Sequence, residues 1–202
     1  MSPRPYSMEK RVAVSNETRL RILEAARQAL AQESEADLTM DAIARRADVS
    51  RLTIYYQFKS RPGLLEALYD YLASRGGMKR MPEVFREPNP SAALDKLVDV
   101  FVGFWSSDRV VIRRLRAMAA LDAEIARGIH SRDTRRRHIA GEILKRMAAA
   151  GKKKYVDDQL SAAVDVITVL TGFATYDALA SAGHSEREII ATIARLVHFA
   201  AS

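Results

Sequence analysis

TMDAIARRADVSRLTIYYQF, running from Thr39 to Phe58, places apolar residues at helical spacing on either side of a break at Asp48-Val49-Ser50. The spacing predicts two helices of about two turns each, over 40–47 and 51–58. Helices that short are marginal in water and form by packing on one another. Ile43, Ala44 and Ala47 on the first, Val49 in the turn, and Ile54 and Phe58 on the second supply that contact, and the small Ala44 lets the axes approach. Such a pair is either an ordinary helical corner or a helix-turn-helix, whose second helix enters a major groove with its N-terminal residues toward base edges while the first crosses the backbone. With Ile54 and Phe58 inward, Arg51, Thr53, Tyr55, Tyr56, Gln57 and Lys59 are left for a nucleic-acid side. Arg51 is expected to fork onto guanine and Thr53 to offer a hydroxyl or methyl to a base edge. Tyr55 and Tyr56 are expected on phosphate oxygens, with half-buried packing as the competing role. Thr39 caps the first helix at a positively polarised end where a phosphate would rest. Arg45 and Arg46 are phosphate clamps or a solvated face.

Outward from this corner the period stays helical. Residues 17–32 are predicted to put Leu20, Leu23, Ala26 and Leu30 on one face, and residues 61–75 carry Pro62 in the first turn and stop at Gly76-Gly77. All six prolines precede Ser91, and 76–90 reads as a linker. Beyond it helices are expected over 91–106, 109–120, 129–149 and 155–181, with a short piece near 122–128. A last helix is announced by the capping box Ser185-Glu186-Arg187-Glu188. With no period-2 alternation and no hairpin turn, the fold is expected to be all-α, of about nine helices. The expected organisation is a disordered arm over 1–14, a helix-turn-helix domain over 15–60, a connecting helix and linker over 61–90, and a ligand-binding and dimerisation domain over 91–202.

The run T-x-x-x-I-A-x-x-A-x-V-S-x-x-T-I-Y-x-x-F, preceded by Glu17-Thr18-Arg19, Ile22-Leu23 and Ala25-Ala26 and followed by Ser60-Arg61 and Leu64-Leu65, resembles the N-terminal domain of the tetracycline-repressor (TetR) family over residues 17–75. The resemblance implies a three-helix DNA-binding head, a fourth helix leading to a divergent helical body, and a homodimer on a palindromic operator, usually a repressor released by a small molecule. Two positions depart from the family pattern. Asp48 stands where Gly is usual in the turn, and Asp tolerates the left-handed backbone that such a turn asks for. Arg61 takes the place of a phosphate-touching Lys at the start of the fourth helix and keeps its charge.

Composition narrows the function from another side. The 202 residues include 32 Lys and Arg against 25 Asp and Glu, a formal net charge of +7. Residues 1–75 carry +2, 76–154 carry +9 and 155–202 carry −4, so the excess base lies away from the corner and DNA binding rests on motif geometry. The absence of cysteine excludes disulfides, thiolate nucleophiles and Cys-ligated metals. No metal or cofactor is expected, and no catalytic residue, since there is no phosphate-binding Gly loop and no nucleophile with a partner base. Residues 1–11 lack the apolar core of a signal peptide and no apolar run reaches ~18 residues, so a cytoplasmic protein without a membrane partner is expected.

In the body, Phe101, Phe104, Trp105, Phe173 and Tyr176 with Met118 and Met147 are core packing or, as the resemblance suggests, part of an effector site. The site set is Phe101, Trp105, Arg114, Met118, Phe173 and Tyr176. The basic triplets Arg113-Arg114-Arg116, Arg135-Arg136-Arg137 and Lys152-Lys153-Lys154 are expected mostly as solvated surface, with Arg113 or Arg114 as a counter-charge if the effector is anionic. The last two helices are apolar around much of their girth, so Leu160, Val164, Ile167, Thr171, Ile189, Ile193, Leu196 and Val197 are expected to build a two-fold four-helix dimer interface. The partners are thus an operator in double-stranded DNA, an unidentified small-molecule effector and a second copy. The reading from another class is a dimeric helical carrier or interaction protein whose head does not bind DNA.

Overall fold

The computed structural model describes residues 6–32, 38–151 and 157–202. Among them there are eleven α-helices and no strand: α1 Tyr6–Gln32, α2 Met40–Arg46, α3 Arg51–Phe58, α4 Arg61–Arg75, α5 Met81–Arg86, α6 Pro90–Ser107, α7 Arg109–Met118, α8 Ala123–Ala149, α9 Asp157–Leu170, α10 Phe173–Ser181 and α11 Glu186–Ala201. The all-α expectation stands, and the differences lie in where helices start and break. Helix α1 reaches back to Tyr6 because the last proline before it is Pro5 and the residues that follow tolerate a helix, so the disordered arm expected through 14 is helical from 6 onward. The expected linker contains α5, whose Val84 is fully buried. The pieces expected at 122–128 and 129–149 are one helix, with Asp122 Oδ1 accepting from the amides of Glu124 and Ile125 at its start.

The helix expected over 155–181 breaks at Thr171-Gly172, and α9 and α10 meet at a 45° bend. Gly172 is a poor helix former and takes extended backbone at φ −79°, ψ 160°, and Trp105 Nε1 donates to Thr171 O at the break at 2.9 Å. Among the described residues no single helix is long and apolar enough to cross a membrane.

The chain divides into two compact units, residues 1–71 with 110–128 and residues 72–109 with 129–202. The boundaries therefore differ from a linear division at 60 and 90, because the chain returns to the first unit through α7 and the start of α8. Taken alone, the first unit is cored by Ile22, Leu23, Ala26 and Leu30 of α1, Ile43 and Ala44 of α2, Ile54 and Phe58 of α3, Leu64, Leu65 and Leu68 of α4, and Ile112, Leu115 and Ile125. Leu20, expected inward, is 54% exposed. The buried stripe of α1 runs through 22, 25, 26, 29 and 30, which turns position 20 toward solvent.

Taken alone, the second unit packs α6 against α11 and α10, and α9 against α11. Leu94, Leu97, Val98, Phe101 and Trp105 of α6 are buried, as are Ile189, Ile193 and Val197 of α11 and Ala140, Ile143 and Leu144 of α8. The predicted capping box is formed: Ser185 Oγ accepts from the Glu188 amide while the Glu188 carboxylate accepts from the Ser185 amide.

Candidate nucleic-acid interface

Helices α2 and α3 start on side-chain caps. Thr39 Oγ1 accepts from the Ala42 amide at 3.1 Å, and Ser50 Oγ accepts from the Thr53 amide at 3.0 Å. Both caps satisfy amides that the helix start leaves open. The turn between the helices passes through Asp48 at φ 50°, the left-handed conformation expected where the family pattern has Gly. Helix α3 ends on Lys59 at φ 68°, a second left-handed position that lets the chain reverse into α4. That reversal is tight. Gly63 lies so close to the end of α3 that a Cβ there would sit 2.1 Å from Phe58 O, so only a residue without one fits.

Ile54 is fully buried and Phe58 is 5% exposed, which locks the rotation of α3 and turns its opposite face out. Tyr56 is 73% exposed and Tyr55 stands at the edge, 36% exposed, so neither is core packing. Lys59 Nζ lies 5.3 Å over the Tyr56 ring. Arg51 is exposed and reaches Asp41 Oδ2 of α2 at 3.2 Å, its guanidinium 5.6 Å from the Tyr55 ring centroid. The carboxylate and the tyrosine hydroxyl hold that cation in place without burying it. The Thr53 hydroxyl lies 2.8 Å from Ser50 Oγ. Gln57, expected on the outer side, turns instead onto α1, its amide donating to Ser15 Oγ and O. Arg19 covers the same end of the helix, donating to Gln57 O at 2.8 Å above the Phe58 ring. Arg45 is exposed at the end of α2, and Arg46 donates to Gln32 Oε1 at 3.3 Å.

Arg61 is engaged by two acids. Its Nη2 donates to Asp122 Oδ2 at 2.5 Å and its Nη1 to Glu124 Oε2 at 2.6 Å, all three side chains being a quarter to a third exposed. The hydrogen bond from Arg61, opposed by partial burial, holds the Asp122 carboxyl below the usual carboxylate range. The scaffold behind α4 is braced in the same way. Arg27 forks onto Glu24, which also accepts from Tyr71 Oη at 2.7 Å. Glu24 is thereby lowered to about 2, chiefly by the Arg27 hydrogen bond.

A sequence model described as bacterial regulatory proteins of the tetR family matches residues 22–68. Among curated relatives, the HTH-type transcriptional regulator TtgR of Pseudomonas putida is 30% identical over 166 residues, 71% of this chain and 78% of that protein. The chain belongs to the TetR family. The HTH-type transcriptional regulator SrpR, also of Pseudomonas putida, is 42% identical over 66 residues, 33% of this chain and 30% of SrpR, so that match spans under a third of the relative's length. In fold, a TetR transcription regulator from Haloarcula marismortui superposes with a TM-score of 0.71 at 20% identity, covering 92% of this chain and 97% of the other. A transcriptional regulator from Saccharomonospora viridis in complex with choline gives 0.69 at 16% identity, over 91% and 96%.

For a TetR-family chain the body residues are distributed unevenly. Phe101, Trp105, Phe173 and Tyr176 come together in the second unit: Trp105 stacks on Phe101 at 6.0 Å, meets Phe104 at 4.6 Å and takes Phe173 edge-on at 5.6 Å, with Tyr176 beyond at 6.4 Å. Burial pushes the Tyr176 hydroxyl's pKa up. Arg114 and Met118 belong to the first unit, where Arg114 donates to Leu30 O at 2.8 Å and Met118 is buried. Arg136, expected as solvated surface, joins the aromatic cluster instead. It is 6% exposed and pairs with Asp133 at 2.9 Å, its guanidinium 5.6 Å from the Phe101 ring and 5.8 Å from Trp105. The sequence carries a signal for it, since 136 falls in helical phase with the buried Ala140, Ile143 and Met147. Lys152, Lys153 and Lys154 lie outside the described residues.

The expected interface row of the last helices is mostly turned inward. Val164, Ile167, Thr171, Ile189, Ile193 and Val197 are all buried within one chain, Leu160 is half-buried, and Leu196 alone of the eight is open at 40%. Packing α9 on α11, and α11 on α6, consumes that row. The apolar residues left outside are Val166, Val169, Leu196 and Phe199, exposed between 40% and 80%.

Proposed function

We propose that this chain is a dimeric, ligand-responsive transcription regulator that represses by holding a near-palindromic operator and leaves it when a small molecule binds. The observation that carries the reading is the outer face of α3: two tyrosines and Arg51 held out from a corner whose rotation is locked by Ile54 and Phe58. Two such heads would present recognition helices about one helical turn apart, roughly 34–36 Å. Thr39, Arg45, Arg46, Lys59 and Arg61 supply positioning contacts to phosphate, and Arg51 and Thr53 read base edges. Gln57 ties α3 to α1.

Dimerisation uses the exposed apolar residues of α9 and α11, Val166, Val169, Leu196 and Phe199, in place of the buried row. The effector site is the aromatic cluster of the second unit with Arg136. The Saccharomonospora viridis regulator is described as a complex with choline, a cation. Here a guanidinium already lies over two of the ring faces, so a neutral aromatic or an anionic effector suits the cluster better than a second cation. Helix α4 runs on from the first unit into the second, and an effector that favours one of its positions shifts DNA affinity only by its differential binding, typically ~1–3 kcal/mol. The chain is a regulator of cytoplasmic type and not an enzyme.

Selection of fragmented genomic DNA with the full chain, followed by sequencing, tests this directly. Enrichment of one palindrome is expected. A flat profile would instead favour a dimeric carrier or interaction protein whose head does not bind DNA.

A further inference from the structure

The polar readers at the start of α3, Arg51 and Thr53, flank an apolar side chain that their chemistry leaves unexplained. Arg51 is drawn to Asp41 at 3.2 Å, and the Thr53 hydroxyl is drawn into the cap at 2.8 Å from Ser50 Oγ. Between them stands Leu52, 77% exposed, the most open apolar side chain of the helix. Two residues from the fully buried Ile54, it points about 160° around the axis, away from the core. It stacks one turn below Tyr56, which is 73% exposed, on the side of the corner that faces a groove. Leucine has no hydrogen bond to give to a phosphate or a base. The C5-methyl of thymine is the apolar group that a base pair displays in the major groove.

Resting on the proposed DNA binding, we infer that Leu52 is a specificity-determining residue that packs on the methyl group of one thymine in each operator half-site. The contact sits in the first turn of α3, where a side chain reaches deepest, and it favours T over C at that position without a hydrogen bond. It also accounts for a large exposed leucine immediately beside the residues that hold the helix in place.

The test uses the selected operator and removes the methyl alone, replacing each thymine by uracil in turn. Removing one buried methyl from the interface weakens binding about fourfold per half-site and about fifteenfold when both halves are changed. The full-length wild type is expected to show this loss at one thymine per half-site. Leu52→Ala, which keeps a strong helix former at a solvent-exposed position, is expected to bind the thymine and uracil operators equally, and Leu52→Met is expected to keep the sensitivity. Circular dichroism and urea unfolding of each variant check that the head is intact. A uracil penalty of the same size in wild type and Leu52→Ala, or no penalised thymine in the wild type, overturns the role of Leu52 and leaves DNA binding standing. A selection that enriches no site overturns the DNA-binding reading and this inference with it.

Discussion

Replacing Asp122 by Asn should lower stability and raise DNA affinity together. Asp122 has two jobs at separate oxygens: Oδ1 accepts from the amides of Glu124 and Ile125 at 2.9 and 3.2 Å and starts α8, while Oδ2 accepts from Arg61 at 2.5 Å. Asn caps a helix about as well as Asp, so the substitution preserves the first job. It turns the second oxygen into an amide donor facing a guanidinium that already bonds Glu124. A fully buried charged hydrogen bond is worth about 1.5–3 kcal/mol and an exposed pair about 0.2–1, so for side chains 32% and 25% exposed the loss is about 1 kcal/mol. Urea unfolding should read this as a midpoint shift of about 0.5 M at an unchanged slope. In the proposed DNA complex Arg61 takes a phosphate, for which in wild type it must first leave its acids. The variant releases it at about 1 kcal/mol less, which gives about fivefold tighter binding per half-site and about twenty-five-fold for a dimer on both. Arg61→Ala should weaken every site alike and flatten the salt dependence. If Asp122→Asn binds DNA more weakly, or as wild type does while losing the same stability, Arg61 is a structural latch and not a phosphate contact.

Acid should unfold the first unit through Glu24, among other carboxylates. Its folded pKa of about 2 lies below the ordinary 4.5, so its contribution is complete above pH 4.5 and is lost as the pH falls toward 2. With 30% of its side chain exposed that contribution is about 2 kcal/mol after screening, and Glu24→Gln should flatten the stability profile in that window by the same amount. Gly63→Ala should destabilise by about 2 kcal/mol or more in thermal unfolding, because the new Cβ meets the Phe58 carbonyl at 2.1 Å and neither backbone can yield without shifting α3. A cost within experimental error would mean that the α3–α4 junction is looser than described. Phe199→Glu should convert the proposed dimer to monomers in sedimentation at micromolar concentration, whereas Leu160→Ala should alter the assembly little. The reverse order would return the interface to the row that holds Leu160.

The helix-turn-helix is legible without any coordinate because its determinants are local. Thr39 and Ser50 cap within three residues, Asp48 accepts a left-handed turn, and the inward set Ile43, Ala44, Ile54 and Phe58 recurs at a 3.6 period. Residues whose partners lie far along the chain are legible only in kind. Gln57 is chemically suited to DNA, but Ser15 and Arg19, about forty positions earlier, claim its amide and carbonyl. Leu52 gives no sign of a role in the sequence, because an apolar residue is not an obvious reader of DNA until its exposure is known.

The order of residues along the chain is enough to make the protein helical, to place most helix starts and stops, and to mark one corner with the TetR-family motif, since caps, breakers and periodicity act within a turn or two. Tertiary structure alone selects which of two apolar rows on α9 and α11 is core and which is left outside, because a helix with apolar residues around its girth gives no preference until α11 packs on α6 and α9 packs on α11. It also places Arg136 among aromatic rings and Arg61 between two acids, pairings that exist only once helices distant in the chain are brought within 3–6 Å.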